Sequence, residues 1–140
     1  KDTSSSDAVY MLDWYAYGIG KVPTKVATTY QNISDAWSLL IDQKWHDRIT
    51  AIKANDGGLS YVEFFEYRKN KMSIPLFNIY CATGSNREYY AERTDLIQLG
   101  QTTQAIYFAK LTNEGEQSEL ALTGDEIKAR FSLVNQAWNN

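Results

Sequence analysis

The segment from residue 55 to residue 67 constrains the fold of this chain most. Asn55-Asp56-Gly57-Gly58 supplies residues that tolerate a positive φ, so it predicts a tight turn. Leu59 to Tyr67 then has the pattern of a strand with apolar residues on both of its faces. Such a strand is typical of the middle of a sheet that is covered on both sides. The sequence therefore predicts a hairpin here and a larger sheet around it.

Further strands are predicted on both sides of this turn. Trp45 to Ala54 has the pattern of the preceding strand, and Arg68-Lys69-Asn70-Lys71 is expected to turn the chain into a third strand, Ser73 to Ala82. Pro75 lacks a backbone N–H, so it should lie at the start of that strand or at an edge. A later hairpin is predicted from residues 96–99 and 105–111.

Two capping boxes predict helices. Ser85-Asn86-Arg87-Glu88 is expected to begin a short helix from Asn86 to about Thr94. Thr123-Gly124-Asp125-Glu126 is expected to begin a closing helix that docks on the core. The apolar face of this closing helix carries Ile127, Phe131, Val134 and Trp138. Asn113 to Gln117 is expected to be a polar loop.

The N-terminal quarter is less constrained by its pattern. Residues 7–17 fit a short helix capped by Asp7 or a strand, and periodicity leaves both open. Residues 24–33 suit an extended segment, and Ser34-Asp35 is expected to cap a helical turn. Leu39-Leu40-Ile41 fits a short strand or the end of a helix.

These elements predict an α+β domain, with a mostly antiparallel sheet (a meander plus a hairpin) and helices packed on it. A chain of 140 residues corresponds to about one domain, which we place at residues 8–140. The polar segment of residues 1–7 is expected to be a linker that remains after removal of a signal or anchor segment.

Composition and charge narrow the classes of partner. The net charge is −3 and no long basic run occurs, so nucleic acid is not an expected partner. No apolar run approaches the roughly 18 residues of a membrane span, so membrane contact is expected only through a lost N-terminal anchor. The lone Cys81 excludes an internal disulfide. No cofactor is expected.

Residues 38–139 resemble small exported lipoproteins of Gram-positive bacteria, a class with no assigned function. The resembling segments are 40–45, 75–80, 97–100 and 105–108, together with the terminal amphipathic helix. The resemblance implies export, a lipid anchor near the N-terminus, and an α/β/α sandwich similar to the photosystem II extrinsic P subunit. It implies no reaction. Asp42 is a departure, because the class commonly has Pro at that position.

Residues with catalytic or metal-binding chemistry are few. His46 is the only histidine and has no second ligand at metal-binding spacing, so a solvated histidine is favoured. Cys81 is an alternative nucleophile beside His46 and Asp47, but strand cysteines are usually buried and inert. The calcium alternative at Asp42, Asp47 and Asp56 lacks the alternating acidic positions of a calcium loop. Glu63 and Glu66 should face opposite sides of a strand.

Aromatic side chains are the remaining candidates for a site. Tyrosine dominates an aromatic content of 14%, and tyrosine suits half-exposed binding surfaces as well as cores. Tyr61, Phe65, Tyr67 and Tyr80 are expected to share one sheet face, which is a platform for sugar, peptide or protein unless a helix covers it. The residues expected near them are Tyr89, Tyr90 and Tyr107. The predicted ligand-binding residues are Tyr61, Phe65, Tyr67, Tyr80 and Tyr107. The alternative role for all of these aromatic side chains is packing in the core.

These patterns favour an exported, non-catalytic binding or accessory domain at the bacterial cell surface. Its expected partner is a protein or a small ligand there. One alternative is an enzyme-like domain with a site near His46 and Cys81, which requires titratable groups to converge in one cleft. A cytosolic interaction module for a basic partner is the other alternative.

Overall fold

The computed structural model describes residues 10–16, 24–45, 48–67 and 74–134, and within these ranges it describes side chains from residue 28 onward. This part of the chain forms strands and three short helices. In chain order they are β1 (Tyr10–Ala16), β2 (Thr24–Asn32), β3 (Trp37–Leu40), β4 (Ile49–Asp56), β5 (Leu59–Glu66), β6 (Ile74–Thr83), α1 (Glu88–Ala91), β7 (Ile97–Gln101), β8 (Ala105–Leu111), α2 (Asn113–Glu116), α3 (Gly124–Arg130) and β9 (Phe131–Leu133). Residues Gln43–Trp45 form a 3₁₀ turn. The strand that the sequence predicted from Trp45 therefore begins later, at Ile49.

The predicted meander and hairpin join into one antiparallel sheet of five strands. Its order is β4-β5-β6-β8-β7, because β8 pairs with β6 as well as with β7. Asp56 pairs with Leu59 across a turn formed by Gly57 and Gly58. Gly57 has a φ of +65°, which a residue without Cβ adopts at no steric cost. The turn predicted from residues 55–58 is therefore confirmed.

A register shift distorts β6 near its start. Phe64 pairs with Phe77 while the next residue, Phe65, pairs with Pro75, so Leu76 is the extra residue of a β-bulge. Pro75 is the second residue of the strand, as predicted from its missing N–H. The turn predicted at residues 68–71 lies outside the described residues.

A second antiparallel sheet has the order β1-β2-β3-β9. Residues 10–16 are a strand, which settles the choice that periodicity left open. Residues 33–36 form the turn between β2 and β3, with Ala36 at a φ of 64°, where the sequence predicted a capped helical turn. The amide side chain of Asn32 accepts hydrogen bonds from the backbone N–H of Asp35 and the hydroxyl of Ser34. Such local bonds favour a turn over a helix.

The closing helix is shorter than predicted. Its capping box is confirmed, since Thr123 and Glu126 exchange side-chain-to-backbone hydrogen bonds. The helix ends at Arg130, however, and Phe131 begins β9, which pairs with β3. The Phe131 ring lies 5.7 Å from the ring of Trp37, so strand pairing and aromatic packing outweigh the helical periodicity. Trp138 lies outside the described residues.

The other helices also differ from their predictions. Ser85 does not cap α1, whose N-cap is Arg87 and which spans only Glu88–Ala91. Residues 113–116 form α2 where a loop was predicted, because the Thr112 hydroxyl accepts a hydrogen bond from Gly115 N–H and caps the turn. Helices are thus minor elements, and the described chain is mostly antiparallel sheet.

The core lies between the two sheets. Tyr30 of the second sheet and Phe64 of the five-stranded sheet are buried, with ring centroids 5.3 Å apart. Ile127 of α3 joins the same cluster, and the Trp45 indole N–H donates a 2.7 Å hydrogen bond to the Leu120 carbonyl. Within the described residues one face of the main sheet therefore packs on a second sheet, which differs from the α/β/α layering that the resemblance implies.

Candidate binding face

Strand alternation gives the five-stranded sheet two chemically different faces. Val62 and Phe64 of β5 point to the buried core, whereas Tyr61, Glu63 and Phe65 alternate with them and are half-buried. We call the side opposite the second sheet the outer face. Cross-strand pairing places on it Ile52, Ala54, Asp56, Leu59, Tyr61, Glu63, Asn78, Tyr80, Ala82, Ile106, Phe108 and Lys110.

Five aromatic rings follow one another across this outer face. We call them the aromatic row, and successive ring centroids in it are 4.9 to 5.2 Å apart. The row runs from the edge side of the sheet to α1 in the order Tyr61, Tyr80, Phe108, Tyr90 and Tyr89. Tyr61 is directly opposite Tyr80, and Tyr80 is directly opposite Phe108, so strand register itself aligns the rings.

The outer face is covered at one end and open at the other. At the covered end, Tyr90 and Ala91 of α1 pack on a small cluster that includes the buried Phe108 and Leu96. At the open end, Ile52 of the edge strand β4 keeps 50% of its surface exposed. The sequence predicted that β5 is covered on both sides. The helix α1 is one turn long, and the strand that it contacts most is β8.

The structure brings together part of the predicted ligand-binding set. Tyr61 and Tyr80 are neighbours in the aromatic row, and Phe65 belongs to the same alternating set of β5, four residues further along. Tyr67 follows the strand and is 54% exposed. Whether these side chains bind a ligand stays a prediction.

Tyr107 lies on the opposite face of the sheet from Tyr61 and Tyr80, although the sequence predicted it near them. It lies on the core side of β8, 4% exposed, and its hydroxyl donates a 2.8 Å hydrogen bond to the Asp35 carbonyl. Burial raises the pKa of Tyr107, and its neighbour Cys81 raises it further. The adjacent residue, Phe108, is the one that points to the outer face.

Cys81 is buried and faces the same core. It pairs with Tyr107 across β6 and β8 and is 4% exposed. Burial raises the pKa of its thiol to about 11, and Asp35 adds to this effect, so the thiol stays protonated at neutral pH. A protonated, buried thiol is a poor nucleophile. His46 and Asp47 lie outside the described residues, so their relation to Cys81 stays untested.

A polar cluster surrounds Asp35 between the two sheets. Its carboxylate accepts a 2.6 Å hydrogen bond from the Ser60 hydroxyl, which links the β2–β3 turn to β5. The hydroxyl of the fully buried Tyr30 has no hydrogen-bond partner among the described residues. The pKa of Tyr30 is raised mainly by its burial and to a smaller extent by the nearby charge of Asp35. These groups link the β2–β3 turn to the five-stranded sheet.

A shallow cleft of about 500 Å³ lies beside α2. Its lining residues are Ile74, Asn113, Glu114, Gln117 and Ser118. The Ser118 hydroxyl donates a 2.6 Å hydrogen bond to the buried carboxylate of Glu66, and it accepts one from Leu120 N–H. Arg48 lies 3.9 Å from the same carboxylate. The hydroxyl is thus engaged in holding the loop after α2 against β5.

Two other kinds of site are not seen in the described parts of the chain. No group of three or more histidine, cysteine, aspartate or glutamate side chains there is arranged to hold a metal ion. Asp42 instead forms a 2.6 Å ion pair with Arg130 of α3. No described helix has the length and apolar character needed to cross a membrane.

No match to this chain was found among protein families, curated proteins or solved structures. The outer face therefore has to be interpreted from its own geometry and chemistry.

The sequence did not identify several residues of this face. Phe108 was not placed on it, because the pairing of β8 with β6 is a long-range contact that local patterns do not carry. Ile52 and Ala54 were assigned to a strand but not to a face. Their face could have been predicted from the turn at Gly57-Gly58. This turn fixes the register of β4 and β5, so Ala54 must oppose Tyr61 and lie on the same face.

Proposed function

We propose that this chain is an exported, non-catalytic binding domain whose ligand contacts the open end of the outer face. One observation carries the proposal: on the face of the sheet opposite the core, Ile52 is 50% exposed and the rings of Tyr61 and Tyr80 are half-buried. Contiguous exposed apolar surface often marks an interaction site. Tyrosine suits such a surface because its ring is apolar while its hydroxyl tolerates water.

Export to the cell surface is the second part of the proposal. It is supported by the resemblance of residues 38–139 to exported lipoproteins. Fractionation of cells that express the full-length gene product tests this part. We expect the protein in the membrane or external fraction, and recovery only with the cytoplasm would favour the interaction module instead.

The enzyme-like alternative receives less support. Cys81 is buried, and the raised pKa of its thiol disfavours the nucleophilic thiolate at neutral pH. The Ser118 hydroxyl lies beside a cleft, but its hydrogen bond to Glu66 has no described histidine to complete a nucleophile and base pair.

Co-sedimentation with washed cell envelopes of a Gram-positive bacterium tests the binding face. Ile52→Ser removes apolar surface at the open end, and Ile33→Ser removes a more exposed isoleucine (65% against 50%) from the β2–β3 turn of the other sheet. Half of an isoleucine side chain is worth about 1 kcal/mol, or about a fivefold change in affinity. We expect Ile52→Ser alone to reduce the bound fraction, and equal binding by all three proteins contradicts the proposal.

A further inference from the structure

Strand register places the short side chain of Ala54 directly opposite Tyr61 on the outer face. Tyr80 lies against one side of the Tyr61 ring, with centroids 5.1 Å apart, so the other side of the ring is turned towards Ala54 on β4. The methyl group of Ala54 is too short to cover a phenol ring. We call the space above Ala54 the Tyr61 recess, with the ring as its wall and Ala54 as its floor.

The strand register fixes what surrounds this recess. Ile52 opposes Glu63, Ala54 opposes Tyr61, and Asp56 opposes Leu59. Side chains two residues apart on a strand, and diagonal cross-strand neighbours, lie about 7 Å from one another. Glu63 and Asp56 are therefore at opposite ends of the recess, one on each strand, and Ile52 adds an apolar side.

The recess opens to solvent because β4 is the edge strand of its sheet. No further described strand lies beyond Ala54. Ile52 is 50% exposed and Asp56 is also exposed, while Tyr61 and Glu63 are half-buried. A side chain from another molecule can thus reach the ring from above or from the sheet edge.

Two carboxylates, those of Glu63 and Asp56, give this part of the described surface a negative charge. Neither Glu63 nor Asp56 forms an ion pair with a described basic residue. Lys53 lies on the other face of β4, where its ammonium group donates to the Ser34 hydroxyl. Lys110 is two strands away from Glu63.

Both carboxylates act on the Tyr61 ring. The pKa of Tyr61 is raised, first by partial burial and then by Glu63, Tyr80 and Asp56. The same fields that disfavour a negative phenolate favour a positive group at this position. The face of a tyrosine ring is itself attractive to a cation within about 6 Å of its centre.

We infer that the Tyr61 recess binds a lysine or arginine side chain of a partner polypeptide. The aliphatic stem of that side chain lies on Ala54 and Ile52, and its cationic head lies over the Tyr61 ring between the two carboxylates. Long basic side chains combine an apolar stem with a charged end in this way. This inference rests on the proposed binding function and specifies the chemistry of the ligand.

A polypeptide fits better than an isolated small cation, because the apolar surface continues past the recess. Tyr80 extends the contact across the next strand, and Glu63 and Asn78 beside it offer hydrogen-bonding groups. A basic side chain in the recess therefore places its neighbouring residues against a half-exposed aromatic surface. Burial of that surface adds to the affinity.

The test uses the full chain and a designed peptide as the probe. The peptide alternates lysine with leucine, and the control peptide has the same sequence with Nε-acetyllysine at every lysine, which keeps the stem and removes the charge. Two-dimensional ¹H–¹⁵N NMR at low salt monitors the backbone amides. We expect the lysine peptide to shift the amide signals of residues 52, 54, 61 and 63, and the acetylated peptide to bind about 2- to 5-fold more weakly or worse.

Protein variants separate a local charge effect from a general one. Glu63→Gln removes a carboxylate from the recess, and Glu92→Gln removes an exposed carboxylate just after α1. Both change the net charge equally. We expect Glu63→Gln to raise the Kd for the lysine peptide about 2- to 5-fold and Glu92→Gln to leave it within about 2-fold. Tyr61→Leu, which keeps apolar bulk without the ring, should weaken binding by a similar factor.

The possible failures are distinguishable. If the acetylated peptide shifts the same amides with the same affinity, the cation inference is wrong while the proposed binding face stands. If Glu63→Gln and Glu92→Gln weaken binding equally, the attraction is only to net charge and the inference is also wrong. If neither peptide shifts these amides in a protein with a well-dispersed native spectrum, the inference and the proposed face both lose their support.

Discussion

The Tyr107 hydroxyl donates a 2.8 Å hydrogen bond to the backbone carbonyl of Asp35, and the two residues belong to different sheets. Tyr107 is on β8 of the five-stranded sheet, and Asp35 is in the turn between β2 and β3 of the other. The Asp35 carboxylate also accepts a hydrogen bond from Ser60 of β5. One turn is thus held by two strands of the facing sheet, which fixes how the sheets pack.

Tyr107→Phe should destabilise the fold by about 1 to 2 kcal/mol, because the Asp35 carbonyl loses its donor in a partly buried position. Urea denaturation at pH 7 measures the change in the free energy of unfolding. Tyr89→Phe is the control, since Tyr89 is 64% exposed, and it should have an effect below about 0.5 kcal/mol. Equal effects of the two variants would show that the bond between the sheets adds nothing.

The Cys81 thiol should be unreactive in the native protein. Burial raises its pKa from 9.0 to about 11, so at pH 8 the native thiolate fraction is about 100-fold below that of the unfolded chain. We expect a chromogenic disulfide reagent to react at least about 100-fold more slowly with native protein than with protein in concentrated urea. Rapid modification without loss of the native circular dichroism spectrum would contradict the buried placement.

Stability should also fall in alkaline solution. Between pH 9 and about 11 the unfolded chain releases the Cys81 proton while the folded chain retains it, so the unfolded state binds fewer protons and the free energy of unfolding decreases as pH rises. Cys81→Ala removes this contribution. We expect a shallower decrease for the variant than for the original chain in urea titrations across this range, and parallel curves would exclude the effect.

Gly115→Ala should be strongly destabilising although it lies in a helix. A Cβ at this position would lie 2.6 Å from the Leu76 Cα, so α2 must move away from β6. We expect a loss of about 2 to 3 kcal/mol in thermal or urea unfolding. Gly124→Ala is the matched control, because its nearest atoms belong to the flexible end of the Ile97 side chain at 3.0 Å, and it should cost less than about 1 kcal/mol.

Thr123→Ala should weaken the start of α3. The Thr123 hydroxyl accepts a hydrogen bond from Glu126 N–H, and loss of such a cap costs about 0.5 to 2 kcal/mol. Thr103→Ala, at an exposed position between β7 and β8, is the control. The Thr123 N–H donates a hydrogen bond to the Glu126 carboxylate and holds the pKa of this carboxyl below its usual range. This hydrogen bond therefore stabilises the cap at neutral pH, and its contribution is lost in acid when Glu126 is protonated. An effect of Thr123→Ala no larger than that of the control would contradict the capping role.

Several predictions from sequence succeeded where the determining contact is short-range, although the predicted capping box at Ser85 did not form. The turn at Gly57-Gly58, the place of Pro75 and the capping box of Thr123 depend on residues within a few positions of one another. They failed where a distant strand decides. Phe131 continues a helical period, yet its pairing with Leu39 of β3 makes it a strand residue.

The candidate face divides in the same way. Tyr61 and Tyr80 were predicted to share one sheet face, and their rings are in contact. Tyr107 was expected near them, and it lies on the other face of the sheet. Alternation on β8 allows either Tyr107 or Phe108 to face the core, and only the register with β6 chooses between them.

The sequence by itself determined the strand-rich character of this protein, its main turns and the helix cap, because these follow from backbone preferences and from hydrogen bonds between near neighbours. The tertiary structure alone decided that β8 joins β6, that a second sheet covers the core side, and that α1 packs on β8. Those outcomes depend on how elements far apart in the chain bury their apolar surfaces against one another. The recess inferred beside Tyr61 follows from the same packing, since β4 is the edge strand among the described strands of its sheet.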